Sequence, residues 1–416
     1  MKITSVERIP VDAGHRPRAG RHMQRKIANW SISEVCKVTT DTGLVGWGET
    51  IPHYTWGAVS DAAVERVRGR NPAELLWDDS LGAGLQQAMF DLAAQALDVP
   101  VYRLFGSKVR DWCPLAWWCW DMPPEAWADE VQEAVASGYT SFKFKARPWF
   151  DLVAQIEAIS AVTPDHVSFD LDFNAWLLNA GTAGLVLADL ERFPKIHIYE
   201  SPIFQGDVAG NRSLRAKLNR PIAMHFDIPP FLTAMREGVC DGFIVNRGAA
   251  GNRHQAALAH EAGMPFWLQL VGTGITTAFA AHRGVAYHAA RWPAITCLNT
   301  YTDDLLEEPL RIERGYLRVP EAPGLGITVD EDALERLRRA DTSAKELPRA
   351  IHTVRWADGR SAEYASGEAF EHDFLEGNQP LFERGVTLTS REDDGSVEFN
   401  DRYVTIQATG VLITNP

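Results

Sequence analysis

The stretch SFKFKARPWFDLVAQIEAISAVTPDHVSFDLDFNAW, residues 141–176, joins a short apolar run to an amphipathic helical segment and then to a second apolar run. From residue 113 onward the same order repeats, with eight apolar runs separated by helical segments. This alternation predicts parallel strands with crossover helices, and eight repeats favour a closed (β/α)8 barrel over an open sheet. The runs are LAWWCW, SFKFKA, VSFDLDF, IHIYESP, PIAMHFD, GFIVNR, PFWLQLV and AITCLNT.

The segments on either side of the barrel complete the predicted domain organisation. Residues 1–112 combine strand patterns, including a hairpin turn at DTG (41–43), with helical periodicity, which predicts an α+β domain. The barrel is predicted over 113–320, and a segment returning to the first domain over 321–344. In residues 345–416, the segment SVEFNDRYVTIQATGVLI (396–413) alternates as strands do and follows the turn sequence REDDGS, which predicts a small C-terminal β appendage. We assign no catalytic role to this appendage. One role open to it is a contact between subunits of an oligomer.

Composition and charge narrow the class of partner. The formal net charge is −14, which argues against nucleic acid or an anionic membrane surface because either would be repelled. No apolar run approaches the roughly 18 residues of a membrane span, and no signal-peptide pattern is present. The five cysteines include no CxxC pair and so indicate neither a disulfide framework nor a zinc site. We therefore expect a cytoplasmic protein.

One segment departs from the acidic character of the chain. The sequence HRPRAGRHMQRK, residues 15–26, carries five cations and no acid. A solvated mobile loop is the simpler interpretation, and a cationic flap over an anionic small substrate is the alternative.

The second apolar run contains two lysines. Lys143 and Lys145 are two residues apart and so project from the same face of the predicted strand. Two ammonium groups held close together repel, which lowers the pKa of at least one of them. A lysine with a lowered pKa is suited to act as a general base near neutral pH. Taken alone, the stretch also fits an edge strand whose lysines lie in water.

Acidic side chains end the next three runs. Asp170 and Asp172 end the third run, Glu200 the fourth, and His225 with Asp227 the fifth. A single acid at a strand end is commonly a helix cap, but three in succession at the active-site rim of a barrel are harder to dismiss. Carboxylate oxygens that converge there suit a hard divalent cation such as Mg²⁺. The lysine pair lies one strand earlier on the same rim, which favours a functional role for it.

The ordered set GWGET, QQAMFDLAAQALDVPVYRLFG, GYTSFKFK, DFNAW and IYESP resembles the mandelate racemase and muconate lactonizing enzyme branch of the enolase superfamily. The resemblance extends over residues 1–335 and rests on the set rather than on any one motif. It implies an α+β capping domain on a modified barrel. It also implies a Mg²⁺ ion that binds the substrate carboxylate and stabilises the enediolate formed when the α-proton is removed.

The resemblance further implies residue roles. Lys145 would be the base, and Lys143 would depress its pKa and contact the substrate carboxylate. Asp172 and Glu200 would be metal ligands, with Asn174 as a partner close to them and a candidate substrate contact. A proton next to a carboxylate is only weakly acidic, so a lysine needs metal and cations to neutralise the charge that develops.

The end of the fifth strand departs from the family pattern. Relatives carry an acid five residues beyond the proline of PIA, and this chain has Phe226 there. His225 and Asp227 flank it, and strand alternation would turn both away from the barrel mouth unless a β-bulge intervenes. We favour Asp227 slightly as a hard oxygen ligand, with His225 close behind.

The sixth and seventh strands also depart from the pattern. Asn246 and Gln269 follow them where relatives carry a lysine or an Asp–His dyad, and neither amide takes up a proton at neutral pH. This argues against a two-base racemase and favours loss of water from a hydroxy acid, with Asn246 and Gln269 as substrate contacts. Tyr301 is a further candidate for lining the site. The GTG at 272–274 is either a simple helix start or a set of backbone donors for an anionic group.

The sequence therefore predicts Mg²⁺-dependent abstraction of the α-proton of a small carboxylate, with dehydration of a hydroxy or sugar acid by a lysine base as the first choice. A cycloisomerase or epimerase of the same superfamily is the alternative within the family. A non-catalytic carboxylate-binding barrel is the alternative outside it, although the retained lysines and acids weigh against it. We expect a homo-oligomer, with specificity set by the cap segments 15–30 and 49–57.

Overall fold

A computed structural model describes residues 1–54 and 56–415 and contains a cap, a barrel and a C-terminal extension. The cap is built on a three-stranded antiparallel sheet in the order β1-β2-β3. Its predicted hairpin turn is present, and Gly43 in it has a φ of 83°. The cap elements are β1 (Ile3–Asp12), α1 (Pro17–Met23), β2 (Ile32–Thr40), β3 (Val45–Thr50), α2 (Asp61–Val67), α3 (Ala83–Ala96) and α4 (Tyr102–Phe105).

The glycines of GWGET are explained by the packing of α3 across β3. A Cβ atom at Gly48 would collide with the carbonyl oxygen of Gly84, and one at Gly46 would collide with the side chain of Leu92. Only glycine allows backbone to approach this closely. The motif therefore seats the helix on the sheet and fixes where β3 ends.

The barrel consists of seven parallel strands in one curled sheet, in the order β11-β10-β9-β8-β7-β6-β5. Each of these strands is separated from the next by a helix that packs outside the sheet. The short strand that precedes them is β4 (Trp112–Pro114). The barrel elements are β5 (Trp117–Cys119), α5 (Pro124–Ala136), β6 (Ser141–Lys145), α6 (Leu152–Val162), β7 (Ser168–Asp172), α7 (Ala180–Leu190), β8 (Ile196–Glu200), α8 (Val208–Arg215), β9 (Ile222–His225), α9 (Phe231–Glu237), β10 (Gly242–Val245), α10 (Ala249–Glu261), β11 (Phe266–Leu268) and α11 (Gly274–Ala286).

The eighth apolar run, which was predicted to be a full strand, contributes only two bridging residues to the barrel. Ala294 and Ile295 bridge in parallel to Leu115 and Gln269, which adjoin the first and last strands of the sheet. Cys297 then takes the chain out of the extended conformation with a φ of 58°. The barrel is thus closed by two bridges rather than by an eighth strand.

Beyond the barrel the chain returns to the cap. A hairpin formed by β12 (Ile312–Glu313) and β13 (Tyr316–Arg318) extends the sheet of β4, and α12 (Glu331–Arg336) follows. After α12, the carbonyl of Leu337 accepts a hydrogen bond from Asp12 N at 3.0 Å, and Arg339 N donates to the carbonyl of Pro10 at 2.8 Å. These bonds attach the returning segment to β1.

The C-terminal extension contains an antiparallel sheet of four strands in the order β16-β14-β15-β17, together with two helices. The sheet agrees with the predicted β appendage, and the helices were not predicted. Its elements are β14 (Ala350–Arg355), β15 (Ser361–Tyr364), α13 (Gly367–Leu375), β16 (Thr387–Glu392), α14 (Val397–Thr409) and β17 (Leu412–Thr414).

The strand expected within residues 397–409 was wrong, because this segment is the helix α14. The hydroxyl of Ser396 caps the helix by accepting a hydrogen bond from Phe399 N at 3.0 Å. Phe399 and Ile406 are fully buried and lie seven residues apart, so they share one face of a helix. Burial at helical spacing outweighs the strand preference of the β-branched and aromatic residues between them.

The extension packs on the mouth side of the barrel. Trp149 follows β6 and Trp176 follows β7, and both join the apolar core of the extension around Phe370. The rings of Trp149 and Phe370 have centroids 4.8 Å apart. Arg384 also pairs with Asp151 at 3.0 Å. The loops at the C-terminal ends of β6 and β7 are therefore covered by residues from beyond the barrel.

Two further findings concern membranes and thiols. In residues 1–54 and 56–415, none of the helices has the length and apolar character needed to cross a lipid bilayer. All five cysteines are buried and free. Burial raises the pKa of Cys113 and of Cys240 to about 12, so neither thiol is a reactive nucleophile at neutral pH.

We predict that Phe370→Ala lowers the free energy of unfolding by about 3–5 kcal/mol, because it leaves a cavity under Trp149. Denaturant unfolding measures the loss, and hydrogen exchange should show faster exchange across the extension. Leu375→Ala on the same helix is the matched control, since Leu375 is 58% exposed, and should change stability by at most about 0.5 kcal/mol. Equal effects of the two substitutions would show that Phe370 does not pack on Trp149.

Candidate active site

The lysine pair lies inside the barrel mouth. Lys143 and Lys145 project inward from β6, while Phe144 between them packs outward on helix α5. Lys143 forms an ion pair with Glu200, and its Nζ lies 3.4 Å from Asp172 Oδ2. Lys145 Nζ lies 2.6 Å from the same Asp172 oxygen. Two cations share this strand because two buried carboxylates face them.

The register of the strands brings these side chains together. Lys145 pairs with Asp172 across β6 and β7, and Asp172 pairs with Glu200 across β7 and β8. Asn174, which has a φ of 44°, donates its backbone N–H to Asp172 Oδ1 at 2.9 Å. Its side-chain Oδ1 accepts a hydrogen bond from Lys145 Nζ, also at 2.9 Å. Asn174 therefore orients both the carboxylate and the lysine.

The buried charges shift one another's pKa in opposite directions. Burial lowers the pKa of Lys145; the carboxylate of Asp172 opposes this shift and the ammonium group of Lys143 adds to it. Burial also disfavours a charged Lys143, but the carboxylates of Glu200 and Asp172 outweigh it and raise the pKa of Lys143. Burial would raise the pKa of Asp172, but the two lysines hold it well below its usual range. Lys145 is thus the lysine that more readily gives up its proton.

His225 faces the barrel interior, contrary to the expectation that strand alternation would turn it away. Glu200 pairs with Ala223, so Ala223 and His225 lie on the face that carries Glu200. The Nε2 atom of His225 is 3.5 Å from Glu200 Oε1. Strand β9 pairs with both of its neighbours without a register shift. The expected bulge on this strand was therefore wrong, because the register itself directs His225 inward.

The two residues after His225 have other partners. The ring of Phe226 packs on Phe243 of β10, with centroids 4.7 Å apart. Asp227, with a φ of 79°, accepts a hydrogen bond from Gln255 Nε2 at 3.0 Å and lies 3.4 Å from Arg247 Nη2. The carboxylate that the sequence slightly favoured as the third metal ligand is thus engaged by side chains that follow β10.

Asp172, Glu200 and His225 offer donor atoms of the types that bind divalent cations. Both carboxylate oxygens of Glu200 are buried; Oε2 faces the ammonium group of Lys143, whereas Oε1 accepts no hydrogen bond, which is uncommon for a buried charge. In this structure the ammonium group of Lys143 is the cation that faces the two carboxylates. Across the described part of the chain, no three His, Cys, Asp or Glu side chains are already arranged as a metal cluster. A divalent ion would therefore share the carboxylates with Lys143.

The amides expected to contact substrate lie at the ends of neighbouring strands. Gln269 Oε1 accepts a hydrogen bond from Lys143 Nζ at 3.3 Å, and its Nε2 donates to the hydroxyl of Tyr54 at 2.6 Å. Asn246 is half-buried and follows β10, two residues beyond Ile244. Ile244 pairs with His225, which places Asn246 on the inward-facing side.

The cap segments expected to set specificity reach the mouth. The rings of Trp30 and Tyr54, one from each segment, have centroids 4.3 Å apart, and Trp30 lies 5.9 Å from Trp118. The hydroxyl of Tyr301, a candidate lining residue, donates to the carbonyl of Trp30 at 3.2 Å. Tyr301 thus uses its hydroxyl to hold the cap against the barrel.

The helix start at GTG is occupied by a side chain of the protein itself. Glu49, from GWGET, accepts hydrogen bonds from Thr273 N at 2.9 and 3.0 Å and from Thr276 N at 3.2 Å. Ser33 donates a further hydrogen bond to Glu49 at 2.9 Å. Of the two interpretations of GTG, the simple helix start is therefore correct.

The basic segment 15–26 is neither a mobile loop nor an unpaired flap. It contains helix α1, and acids of the barrel and the extension neutralise four of its cations. The ion pairs are Arg16–Glu133, Arg18–Glu133, Arg25–Asp121 and Lys26–Glu371.

Arg147 is a site residue that the sequence reasoning missed. It is 4% exposed, and its guanidinium donates to Asn174 Oδ1 at 2.6 Å and to the carbonyl of Asp172 at 3.1 Å. It also lies over the rings of Trp120 and Trp176, at 5.7 and 5.9 Å. The signal was present in KFKAR, where Arg147 continues the two-residue period of the lysine pair.

Comparisons with known proteins agree with this geometry. Residues 126–333, half of the chain, match the family described as enolase C-terminal domain-like. The chain is 30% identical to muconate cycloisomerase 1-2 of Acinetobacter lwoffii, over 82% of this chain and 96% of that protein. It is 28% identical to D-gluconate dehydratase of Thermoproteus tenax, over 76% and 72% respectively. A crystal structure of a mandelate racemase/muconate lactonizing family protein from Azoarcus sp. EbN1 has the same fold, with a TM-score of 0.67, 23% identity and coverage of 83% of this chain and 99% of that one.

We predict that Lys143→Met, in metal-free buffer, lowers the free energy of unfolding by about 3–5 kcal/mol, because it leaves a buried carboxylate without its cation. Adding Glu200→Gln in the same chain should recover part of the loss, since the uncompensated charge is then removed as well. Denaturant unfolding of the four members of this double-mutant cycle gives the coupling. Additive effects of the two substitutions would show that Lys143 and Glu200 do not stabilise each other.

Proposed function

Because the chain belongs to the mandelate racemase and muconate lactonizing enzyme branch of the enolase superfamily, we propose that it removes the α-proton of a small carboxylate with Lys145 as the base. Its relatives are named as a dehydratase and a cycloisomerase, so the chain is an enzyme of the lyase or isomerase class. Within that range we propose a lyase that eliminates water from a hydroxy acid, such as a sugar acid.

The position of Lys145 and the lowering of its pKa by burial carry this proposal. Its Nζ lies in the barrel mouth, 2.6 Å from Asp172, and burial lowers its pKa. A lysine with a lowered pKa is more often unprotonated near neutral pH than an ordinary lysine, and only the unprotonated amine can act as a base. Lys143, whose pKa is raised, stays charged and is suited to bind the substrate carboxylate.

The proposed reaction is a β-elimination. Lys145 takes the α-proton, and the electron pair left on the α-carbon forms a carbon–carbon double bond as the bond to the β-hydroxyl breaks. The departing oxygen takes a proton and leaves as water, and Lys145 can return the proton that it removed. When the α-carbon also carries a hydroxyl group, as in a sugar acid, the product of the elimination is an enol, which then tautomerises to the 2-keto acid.

We propose Mg²⁺ as the cofactor. Asp172 and Glu200 would hold it, with His225 or Asp227 as the third protein ligand. When bound, the ion neutralises the negative charge that develops on the substrate carboxylate as the proton leaves. Asn174 keeps Asp172 and Lys145 in their relative orientation.

The ends of β10 and β11 support a one-base mechanism. Asn246 and Gln269 occupy these positions, and neither amide can take up a proton near neutral pH. We propose that both hydrogen-bond the substrate. The net charge of −14 and the buried thiols are compatible with a cytoplasmic enzyme, proposed to be a homo-oligomer, that acts on small anions.

Cycloisomerisation is the second candidate reaction. It is favoured by the 30% identity to a muconate cycloisomerase over 96% of that protein. A single lysine that acts as a base beside other cations would also be suited to catalyse this reaction. Product analysis with hydroxy acids and with unsaturated diacids separates the two candidates.

We predict that the protein with Mg²⁺ exchanges the α-proton of at least one acid in a panel of sugar acids for deuterium in D₂O. Lys145→Ala should abolish both exchange and product formation, because neither Asn246 nor Gln269 can replace the base. The exposed Lys217 provides the control, and Lys217→Ala should exchange at the wild-type rate. Deuterium uptake is followed by NMR. Exchange that persists in Lys145→Ala would rule out this lysine as the base.

We predict that exchange is confined to one configuration at the α-carbon, because a lone lysine reaches only one face of the substrate. Gln269→Leu should slow exchange without abolishing it, since losing one hydrogen bond costs about 0.5–1.5 kcal/mol. The two epimers of an exchanging acid are compared by NMR under identical conditions. Equal exchange from both would require a second base and would favour an epimerase.

A further inference from the structure

The end of β9 presents an imidazole to the buried carboxylate of Glu200. Building on the metal-dependent function proposed above, we infer that Nε2 of His225 is the third protein ligand of the metal. We further infer that this nitrogen shifts the metal preference of the site from Mg²⁺ toward Mn²⁺ and Co²⁺.

The spacing of donor atoms supports the first step. His225 Nε2 is 3.5 Å from Glu200 Oε1, which is too far for a hydrogen bond of ordinary strength. Two ligand atoms bound about 2.1 Å from one ion, at an angle of about 90–110°, lie about 3.0–3.5 Å apart. Lys143 pairs with the other oxygen of Glu200. The oxygen that faces His225 is buried and accepts no hydrogen bond, and so is available to an ion.

The backbone around His225 is fixed in a way that suits a ligand. Its backbone N–H donates to Gln205 Oε1 at 3.0 Å. The Nε2 of Gln205 in turn donates to the hydroxyl of Ser201 at 2.6 Å. Ser201 directly follows Glu200, so one side chain ties the residue after β8 to the end of β9. These two hydrogen bonds through Gln205 hold the ends of β8 and β9 together and so keep His225 and Glu200 at a constant separation.

The neighbouring residues are poorly placed to compete. Phe226 has no donor atom and packs on Phe243. Asp227 already accepts a hydrogen bond from Gln255 and lies beside Arg247. Recruiting Asp227 would require breaking these contacts, whereas His225 already faces Glu200.

The consequence for metal choice follows from ligand chemistry. Mg²⁺ is a hard ion that prefers oxygen, whereas imidazole nitrogen suits later transition metals. Two carboxylates and one imidazole carry one negative charge fewer than three carboxylates, which weakens binding of Mg²⁺. Affinity for divalent ions at a site with a nitrogen ligand rises from Mn²⁺ to Co²⁺. The ratio of Co²⁺ to Mg²⁺ affinity therefore reports the presence of His225 in the site.

The test uses the full-length protein, stripped of metal and titrated with Mg²⁺, Mn²⁺ and Co²⁺ alone, without substrate. Isothermal titration calorimetry gives the affinities of wild type, His225→Asp and Asp227→Asn. We expect His225→Asp to reduce the Co²⁺ to Mg²⁺ ratio by about tenfold or more, where tenfold corresponds to about 1.4 kcal/mol. We expect Asp227→Asn to leave the ratio within about twofold of wild type, because its carboxylate does not face the ion.

A second measurement does not depend on the folding of a variant. Pulsed EPR of Mn²⁺ bound to wild type should show coupling to an imidazole nitrogen. A spectrum without nitrogen coupling, an unchanged ratio in His225→Asp, or no metal binding by wild type would each overturn the inference. Nitrogen coupling without α-proton exchange on any acid would keep the inference and overturn the proposed function. Exchange supported by Mg²⁺ without nitrogen coupling would overturn the inference and keep the proposed function.

Discussion

The structure depends on keeping opposite charges buried together at one end of the barrel. Lys143, Asp172 and Glu200 are each at most 1% exposed, and the effective penalty for burying an unpaired ion is several kcal/mol. The cost is offset only if the charges touch, which requires β6, β7 and β8 to pair in the observed register. A slip of one residue would turn these side chains to the opposite face of the sheet. The strand register that forms the barrel is therefore the same register that brings the charged side chains of its mouth together.

The cap helps to position side chains on the opposite side of the barrel mouth. Glu49 caps helix α11, which follows β11, and Tyr54, five residues later, accepts a hydrogen bond from Gln269. Gln269 in turn contacts Lys143. Burial raises the pKa of Glu49, although its hydrogen bonds from backbone and hydroxyl donors oppose this shift. One short segment of the cap thus positions both the helix and the side chain at the end of the last strand.

The sequence was sufficient to predict features that depend on local alternation of side chains, such as the barrel strands and the lysines and acids at their ends. It was insufficient where the outcome depends on distant partners. The direction of His225 is set by which residue of β9 lies beside Glu200, and this pairing forms only in the folded sheet. The sequence of helix α14 predicts a strand, but burial on one face, rather than propensity, selects the helix. The segment 15–26 is ordered by acids such as Glu133, more than 100 residues away, that its own composition cannot reveal.

The extension takes part in the same arrangement through Arg147. Trp176 belongs to the apolar core of the extension, and its ring lies under the guanidinium of Arg147. Arg147 donates to Asn174, which accepts a hydrogen bond from Lys145. Burial is the largest cause of the lowered pKa of Lys145. The family match ends at residue 333, so packing by residues beyond it helps to hold the loops that keep this lysine out of water. The surroundings of Lys145, the proposed base, are therefore formed partly by residues outside the matched family region.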